Sequence, residues 1–477
     1  MKMLNLNTKL KTPLYLQIYS EIKNFILEGS LVSKSKLPSK RNLMKKYNIS
    51  QNTIQNALYL LMEEGYIYSE ERKGYFVSDL ENLYVKANIS HKKKKENKIS
   101  KVKYNFSYSG VDSASLPRNI FKKLSKEIYE EMNNDFSFQG EIQGYKLLRE
   151  SICEYLSEAR GFEAEAKQII ISSGTEYLFH IIFKLFKNVK YGLENPGYKM
   201  LQDLFFSNKI DYSAINLDDE GMIVDELKEK NINIACITPS HQFPTGVIMP
   251  IKRRQEILNW ANSKENRYIV EDDYDSEFKY NGKPIPALKA IDYKDKVVYI
   301  GSFSKSISPA IRVSYMVLPR KLLEIYKKKL PYFICPVSIP TQKILYKFIQ
   351  EGHFVKHLNR MRTIYKKKRE LLVNCLKEES RKKFKKEIKI QGADAGLHII
   401  VSFPFNIVEK EFLKVCKENS IKIYPLRDYY LEKKSENLFF LLGYASLTNQ
   451  DIEEGVKLIM ELVKKSKFEK RISSIEV

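Results

Sequence analysis

Asp272, Tyr274 and Lys305 are the residues of this chain whose types and spacing could do chemistry together; they stand in Glu271-Asp272-Asp273-Tyr274-Asp275 and Ser302-Phe303-Ser304-Lys305. Residues two apart in an extended strand face the same side, so the acid and the phenol can reach one ring. A carboxylate beside a pyridine nitrogen keeps it protonated and makes the ring an electron sink, a phenol can hydrogen-bond a ring oxygen, and a lysine amine can form a Schiff base and later shuttle protons. Pyridoxal 5′-phosphate (PLP) needs that set. Its phosphate would be clamped by Arg312, helped by Ser302 and Ser304, while Ser173-Gly174-Thr175 ends one strand and opens a helix whose N-terminus can bind the same anion. Tyr198, in Glu194-Asn195-Pro196-Gly197-Tyr198, would stack on the ring. Singly each of these is an ordinary acid, lysine or aromatic; the combination carries the reading.

Such residues must be held by strand ends. Short continuous apolar runs, Ile169-Ile170-Ile171, Ile234-Ala235-Cys236-Ile237, Tyr268-Ile269-Val270 and Val297-Val298-Tyr299-Ile300, alternate with helical stretches over 177–186 and 254–261. Unbroken apolar runs suit strands buried on both faces, so the spacing predicts an α/β unit with a mostly parallel sheet between helices. From about residue 335 long basic helices (354–376) and a few strands predict a smaller α+β subdomain.

The N-terminal part reads differently. Tyr15, Ile18, Tyr19, Ile22 and Ile26 recur at helical spacing up to Gly29; Ser39 and Ser50 are natural N-caps for two further helices; Tyr66-Ile67-Tyr68 and Tyr75-Phe76-Val77 flank a polar turn and predict a hairpin. The third helix presents Gln51, Asn52 and Thr53 from its first turn, where short polar groups can meet base edges in a major groove. Ser39, Arg41 and Lys73 would anchor the phosphate backbone and fix register, and Ser50 and Gly74 complete the expected DNA-binding set. The expected domains are 1–80, a basic linker over 81–103 containing His91-Lys92-Lys93-Lys94-Lys95, and 104–477.

Composition bounds the rest. The net charge of +23 suggests a polyanion partner, and nearly half of that excess lies in residues 1–103. Five scattered cysteines without a Cys-x-x-Cys pair predict reduced buried thiols rather than disulfides or zinc, and no metal site is expected, His353 and His357 lacking a third ligand. With no apolar leader and no long uncharged apolar run, the chain is expected in the cytoplasm, away from membranes.

The N-terminal segments Leu37-Pro38-Ser39-Lys40-Arg41, Ser50-Gln51-Asn52-Thr53, Glu64-Gly65-Tyr66-Ile67 and Lys73-Gly74-Tyr75-Phe76-Val77 closely resemble the GntR family of bacterial winged helix-turn-helix repressors. The larger part resembles fold-type I PLP enzymes of the aspartate aminotransferase superfamily. The fusion, with Thr238-Pro239-Ser240-His241-Gln242-Phe243-Pro244-Thr245-Gly246, resembles the MocR subfamily and its GabR-type regulators. The resemblance implies a PLP-dependent transcriptional regulator: a domain-swapped homodimer on double-stranded operator DNA that senses an amino acid or related amine through amine exchange at Lys305. Arg427 would anchor the effector's carboxylate. An active aminotransferase with an accessory DNA-binding domain is the alternative, and physiological turnover is left open.

The chain departs from these families at three positions. Gln51 stands where many GntR relatives carry Arg, which favours adenine over guanine and an AT-richer operator. Phe243 precedes Pro244 where aminotransferases usually have Asn, leaving His241 or Gln242 for that role, and Met200 stands where GABA-sensing relatives have Arg.

Overall fold

A computed structural model describes residues 12–79, 102–132, 139–280, 286–403, 407–432 and 438–473, with Leu6 and Ser137, side chains being described as far as Lys465. The chain divides into two units, Met1–Asn97 and Lys98–Val477.

In the first unit, helix Leu14–Leu27 buries Ile18, Ile22, Phe25 and Ile26, the stripe that its helical spacing predicts. Helices Lys40–Tyr47 and Gln51–Glu63 start where their caps dictate, because Ser39 Oγ accepts from Asn42 N and Ser50 Oγ from Thr53 N, each at 3.3 Å. Asn48, with φ +53°, closes the second helix and turns the chain into the third. The antiparallel strands Ile67–Glu70 and Gly74–Val77 pair in the register Ile67 to Val77, placing both ends in a core with Leu43, Ile54, Leu58 and Leu61. Three helices and a wing follow from local pattern alone.

In the second unit an eight-stranded sheet runs in the order Ile169–Ser172, Ser314–Val317, Val297–Ser302, Tyr268–Asp273, Ile234–Ile237, Tyr191–Asn195, Tyr212–Asp218, Gly221–Met222. The five strands from Val297–Ser302 to Tyr212–Asp218 are parallel to one another; Ser314–Val317 runs antiparallel to both its neighbours. Leu178, Ile182 and Phe205 cover one face with Val270 and Ile300; Ile257, Leu258 and Trp260 belong to a core with Ile269 and Val297. Adjacent residues of one strand thus point into different cores, which is why these strands read as unbroken apolar runs.

A smaller antiparallel sheet, Lys389–Gln391, His398–Ser402, Phe439–Gly443, Tyr424–Pro425, shares a core with helices His353–Phe384 and Asn449–Ser473. The sequence puts this layer's start near residue 335. The chain instead keeps Leu345, Phe348, Phe354 and Leu358 packed with Leu148, Ile152 and Ile169 of the large layer, so the small layer begins further along the long helix. That helix runs past the expected 354–376 until Lys385, at φ +52°, ends it. Of the basic linker, residues 81–101 lie outside the described residues, while Lys103 N donates to Ser420 O (2.9 Å) and so belongs to the second unit. The cysteines are free; Cys236 and Cys416 are buried, whereas Cys153, Cys335 and Cys375 are half-buried against the expectation of full burial, each near the edge of its core.

Candidate functional site

The expected cofactor residues converge at the carboxyl ends of the parallel strands, where open α/β sheets form their ligand crevice. Asp272 stands one residue before the end of strand Tyr268–Asp273, in register with Ile300 of its parallel neighbour. Beyond that neighbour's last residue, Ser302, the four-residue helix Phe303–Ser306 carries Lys305 back over the crevice, fixed by Ser302 Oγ accepting from Ser304 N at 3.1 Å. A cavity of about 210 Å³ results; Gly174, Thr175, Tyr198, Asp272, Tyr274, Ser302, Ser304, Lys305 and Arg312 all line it. Of the ten expected cofactor residues only Ser173 is not among its walls.

Asp272 Oδ1 is buried with no hydrogen-bond partner. Burial, and then the neighbouring carboxylates Asp273, Asp275 and Glu194, push its carboxyl up to about 7. A buried acceptor of this kind lacks a donor, and a protonated ring nitrogen is one. Burial pulls the Lys305 amine down to about 8 against the opposing pull of Asp275, and its Nζ donates to the carbonyl of Tyr108. A lysine held there is a neutral nucleophile for much of the time near pH 8. Burial, with Asp275 second, holds the Tyr274 phenol well above its ordinary range, so it keeps its proton.

At the other end of the cavity Gly174, with φ +97°, caps helix Thr175–Leu185, and a Cβ there would lie 2.5 Å from Arg312 Nη2. Glycine lets the guanidinium lie against the helix N-terminus. Arg312 donates to the Ser173 carbonyl (3.3 Å) and lies 3.6 Å from Glu176 Oε2. Ser314 Oγ donates to Ser302 Oγ (3.0 Å), and Ser302 to Ser304 Oγ (3.0 Å), completing a hydroxyl and guanidinium cup suited to an oxyanion.

Tyr198 lines the cavity with its ring centroid 4.9 Å from that of Phe243, which itself forms the wall where an asparagine was sought. Neither candidate substitute lines the cavity. Gln242 Nε2 donates to Glu194 Oε2 and Pro196 O, both at 3.1 Å, and His241 lies against Tyr274 and Asp275. Met200 is part of the cavity wall. Arg427 is not: it sits in the turn Leu426–Tyr429 with Nε 2.6 Å from Glu409 Oε1. The chain fold thus does not bring the expected carboxylate anchor to the other site residues, because a buried acid of the small layer already holds it.

Sequence reading missed Glu194 and His398, and it offered His241 only in place of the absent asparagine. Glu194, which lines the cavity, accepts from Thr238 Oγ1 at 2.6 Å and is lifted to about 7 by burial. Its place one residue before Asn195-Pro196-Gly197-Tyr198, at a strand end, was an available signal. His241, Asp275 and His398 form a buried cluster with ligand-type atoms within 4.8 Å of one another, although no metal set was legible; two of the three sit on different strands' ends, and no spacing announces it.

On the first unit Arg41, Gln51 and Asn52 are exposed at the starts of their helices. Ser39 and Ser50 spend their lone pairs on caps, and Thr53 Oγ1 lies 2.8 Å from Ser50 Oγ, which leaves Gln51 and Asn52 as the free polar groups of that turn. Lys73, on the wing turn, pairs with Glu70 at 2.9 Å, and Gly74, with φ +112°, returns the hairpin. The face can present two amides to bases and cations to phosphates.

Comparison with known proteins finds a family for each of the two units. Residues 106–459 match the family model for aminotransferase class I and II, and residues 14–77 match that for bacterial regulatory proteins of the gntR family. The chain is 35% identical to the HTH-type transcriptional regulator YdeL of Bacillus subtilis, covering 95% of this chain and 97% of that one. It is 25% identical to the probable rhizopine catabolism regulatory protein MocR of Rhizobium meliloti, over 95% and 94% of the two chains. Among solved structures, the kynurenine aminotransferase of Pyrococcus horikoshii superposes with a TM-score of 0.67 at 25% identity, over 77% of this chain and 91% of that one. The chain belongs to the MocR-type HTH transcriptional regulators, in which a GntR DNA-binding domain is fused to a class I and II aminotransferase domain.

Proposed function

We propose that this regulator binds PLP in the cavity between Arg312 and Asp272 and reads the supply of an amino acid or related amine there. The observation that carries the reading is the buried, unpartnered Oδ1 of Asp272 in the same cavity as a lysine with a depressed pKa. Bound PLP supplies an aldehyde for amines and a ring that withdraws electrons. Arg312, Ser302, Ser304 and the N-terminus at Thr175 hold the phosphate end. Asp272 keeps a proton on the ring nitrogen, Tyr274 donates to the ring oxygen, Tyr198 and Phe243 confine the ring, and Lys305 gives up its place to the effector's amine.

An amine alone would not be distinguished from any other, and a guanidinium is the natural second anchor for a carboxylate. Arg427 fills that role once its ion pair with Glu409 opens. The first unit reads an operator with Gln51 and Asn52 while Arg41 and Lys73 follow the backbone; two such units in a homodimer span paired half-sites. Among the described residues no helix is long and apolar enough to cross a membrane, and a DNA-bound regulator works in the cytoplasm. Effector binding changes transcription only to the extent that it favours one arrangement of the dimer over another.

Borohydride reduction of PLP-loaded protein followed by peptide mapping tests the reading. A pyridoxyl label on Lys305 supports it, and a label on another lysine, or none, overturns it.

A further inference from the structure

A second cavity, of about 360 Å³, opens in the second unit and shares no wall residue with the first. That volume lies within the range of small-molecule sites. Helix Lys146–Arg160 supplies Tyr155, Ala159 and Arg160; the long helix His353–Phe384 supplies Val355, Leu358 and Arg362; the segment just after Tyr274 supplies Glu277 and Lys279. Its charges are unevenly matched. Arg160 is engaged by Asp273, with Nε 2.6 Å from Oδ2, and by Ser240 Oγ at 2.9 Å. Arg362 donates Nε to the Glu277 carbonyl (2.7 Å) and Nη1 to Asn359 Oδ1 (2.9 Å), yet among the described residues neither Arg362 nor Lys279 is ion-paired with an acid. On the acidic side, Glu158 stands at the exposed rim and Glu277 further in. Glu277 Oε1 accepts from the Tyr155 hydroxyl at 3.1 Å, while Oε2 is buried without a hydrogen-bond partner. Burial, and then Asp273, push the Glu277 carboxyl up to about 7 against the opposing pull of its own backbone N–H, Arg160 and Tyr155.

A buried carboxyl oxygen without a donor calls for one, and an ammonium is the donor that also favours the ionised form. An arginine and a lysine without acid partners call for an anion. With Arg160 matched, Lys279 and Arg362 stand against Glu158 and Glu277, so the walls favour an occupant that carries both signs and no net charge. Arg362 already touches the backbone of Glu277, which places the two charged ends of that occupant close together, as on one α-carbon. We propose that this cavity is a second binding site, for a zwitterionic α-amino acid whose ammonium meets Glu277, whose carboxylate meets Arg362 and Lys279, and whose side chain lies against Val355 and Leu358.

The site lies where the two layers meet. The segment that carries Glu277 begins at Tyr274, in the first cavity, and continues to the small layer, where Gly396 N donates to Phe278 O (2.8 Å) and Tyr280 N to Asp394 O (3.2 Å). An occupant therefore joins a helix of the large layer, the long helix and a segment shared by both layers. The assignment does not rest on the PLP reading, because it involves none of the residues that would hold PLP.

The experiment is isothermal titration calorimetry of the PLP-free full chain with each of the common L-α-amino acids. At least one should bind with a dissociation constant below about 1 mM. For that amino acid, Glu277→Gln and Arg362→Gln should each weaken binding about tenfold or more, through loss of a charge-assisted hydrogen bond. The matching amino alcohol, which lacks the carboxylate, and the matching α-hydroxy acid, which lacks the ammonium, should each bind about tenfold more weakly or worse. Val355 is 49% exposed, so Val355→Trp fills the cavity from its rim and should abolish binding; it carries the test if Glu277→Gln does not fold. Binding of none of the amino acids below about 1 mM overturns the proposal. So does an affinity unmoved by Glu277→Gln or Val355→Trp, or an amino alcohol that binds as well as its amino acid. Intact binding here with no borohydride label on Lys305 would overturn the PLP reading alone.

Discussion

Asp272→Asn separates the strain of a buried carboxyl in PLP-free protein from its value once PLP is bound. Burial, followed by Asp273, Asp275 and Glu194, raises this carboxyl from an ordinary 3.8 to about 7. Below about pH 4 the folded and unfolded chains are both protonated at this site. Between about pH 4 and pH 7 the unfolded chain releases a proton that the folded chain keeps, so rising pH favours unfolding; above pH 7 the penalty is constant. Roughly three pH units at ~1.4 kcal/mol each set a ceiling near 4 kcal/mol, and partial access to cavity water brings the expectation to about 2 kcal/mol. PLP-free Asp272→Asn protein, which has no such charge, should therefore gain about 2 kcal/mol relative to the unaltered chain between about pH 4.5 and pH 8. With PLP bound the order reverses, because the carboxylate faces a protonated nitrogen and a charge-assisted hydrogen bond contributes about 1.5–3 kcal/mol that asparagine largely loses.

Urea unfolding followed by tryptophan fluorescence is the assay. The chain has one tryptophan, Trp260, buried in the core beneath the large sheet, so the signal reports this unit and not the winged helix. A difference between variant and parent that does not change with pH would refute the burial argument. An equal stabilisation of both by PLP would refute the pairing of Asp272 with the ring nitrogen.

Asp273→Ala should destabilise the same transition by about 3–5 kcal/mol, because it leaves the buried Arg160 guanidinium, now 2.6 Å from Asp273 Oδ2, without its carboxylate; a loss under about 1 kcal/mol in urea unfolding would contradict this. Ser50→Ala should cost the isolated transition of the first unit about 1 kcal/mol in thermal unfolding through loss of the cap to Thr53 N. In DNA binding measured at fixed salt, Arg41→Ala is expected to weaken affinity alike on all sequences and Gln51→Ala to relax base preference, and equal losses from both would dissolve that division. Arg427→Ala should lower apparent effector affinity about tenfold or more, read from the absorbance of PLP-loaded protein; no change would assign Arg427 to its ion pair with Glu409 alone.

The sequence by itself determined whatever depends on near neighbours. The winged helix is legible to within a residue or so because Ser39 and Ser50 cap their own helices and the stripe Ile18, Ile22, Ile26 is a property of one turn after another. Asp272 and Tyr274 are legible because a strand's period puts them on one side, and Lys305 because it follows the next apolar run. Tertiary structure decided what depends on which strands lie side by side. Strand Ile234–Ile237 lies beside Tyr268–Asp273, and that adjacency, not any spacing, brings His241 to Asp275 and Tyr274. The neighbouring contact between Ile234–Ile237 and Tyr191–Asn195 brings Thr238 to Glu194 in the same way. Arg427 shows the converse: its type suits a carboxylate, and the fold supplies one, Glu409, ahead of any ligand. A side chain's chemistry is written in its residue type, but its partner is chosen by packing between segments far apart in the chain, where hydrogen-bond geometry is settled over a few tenths of an ångström.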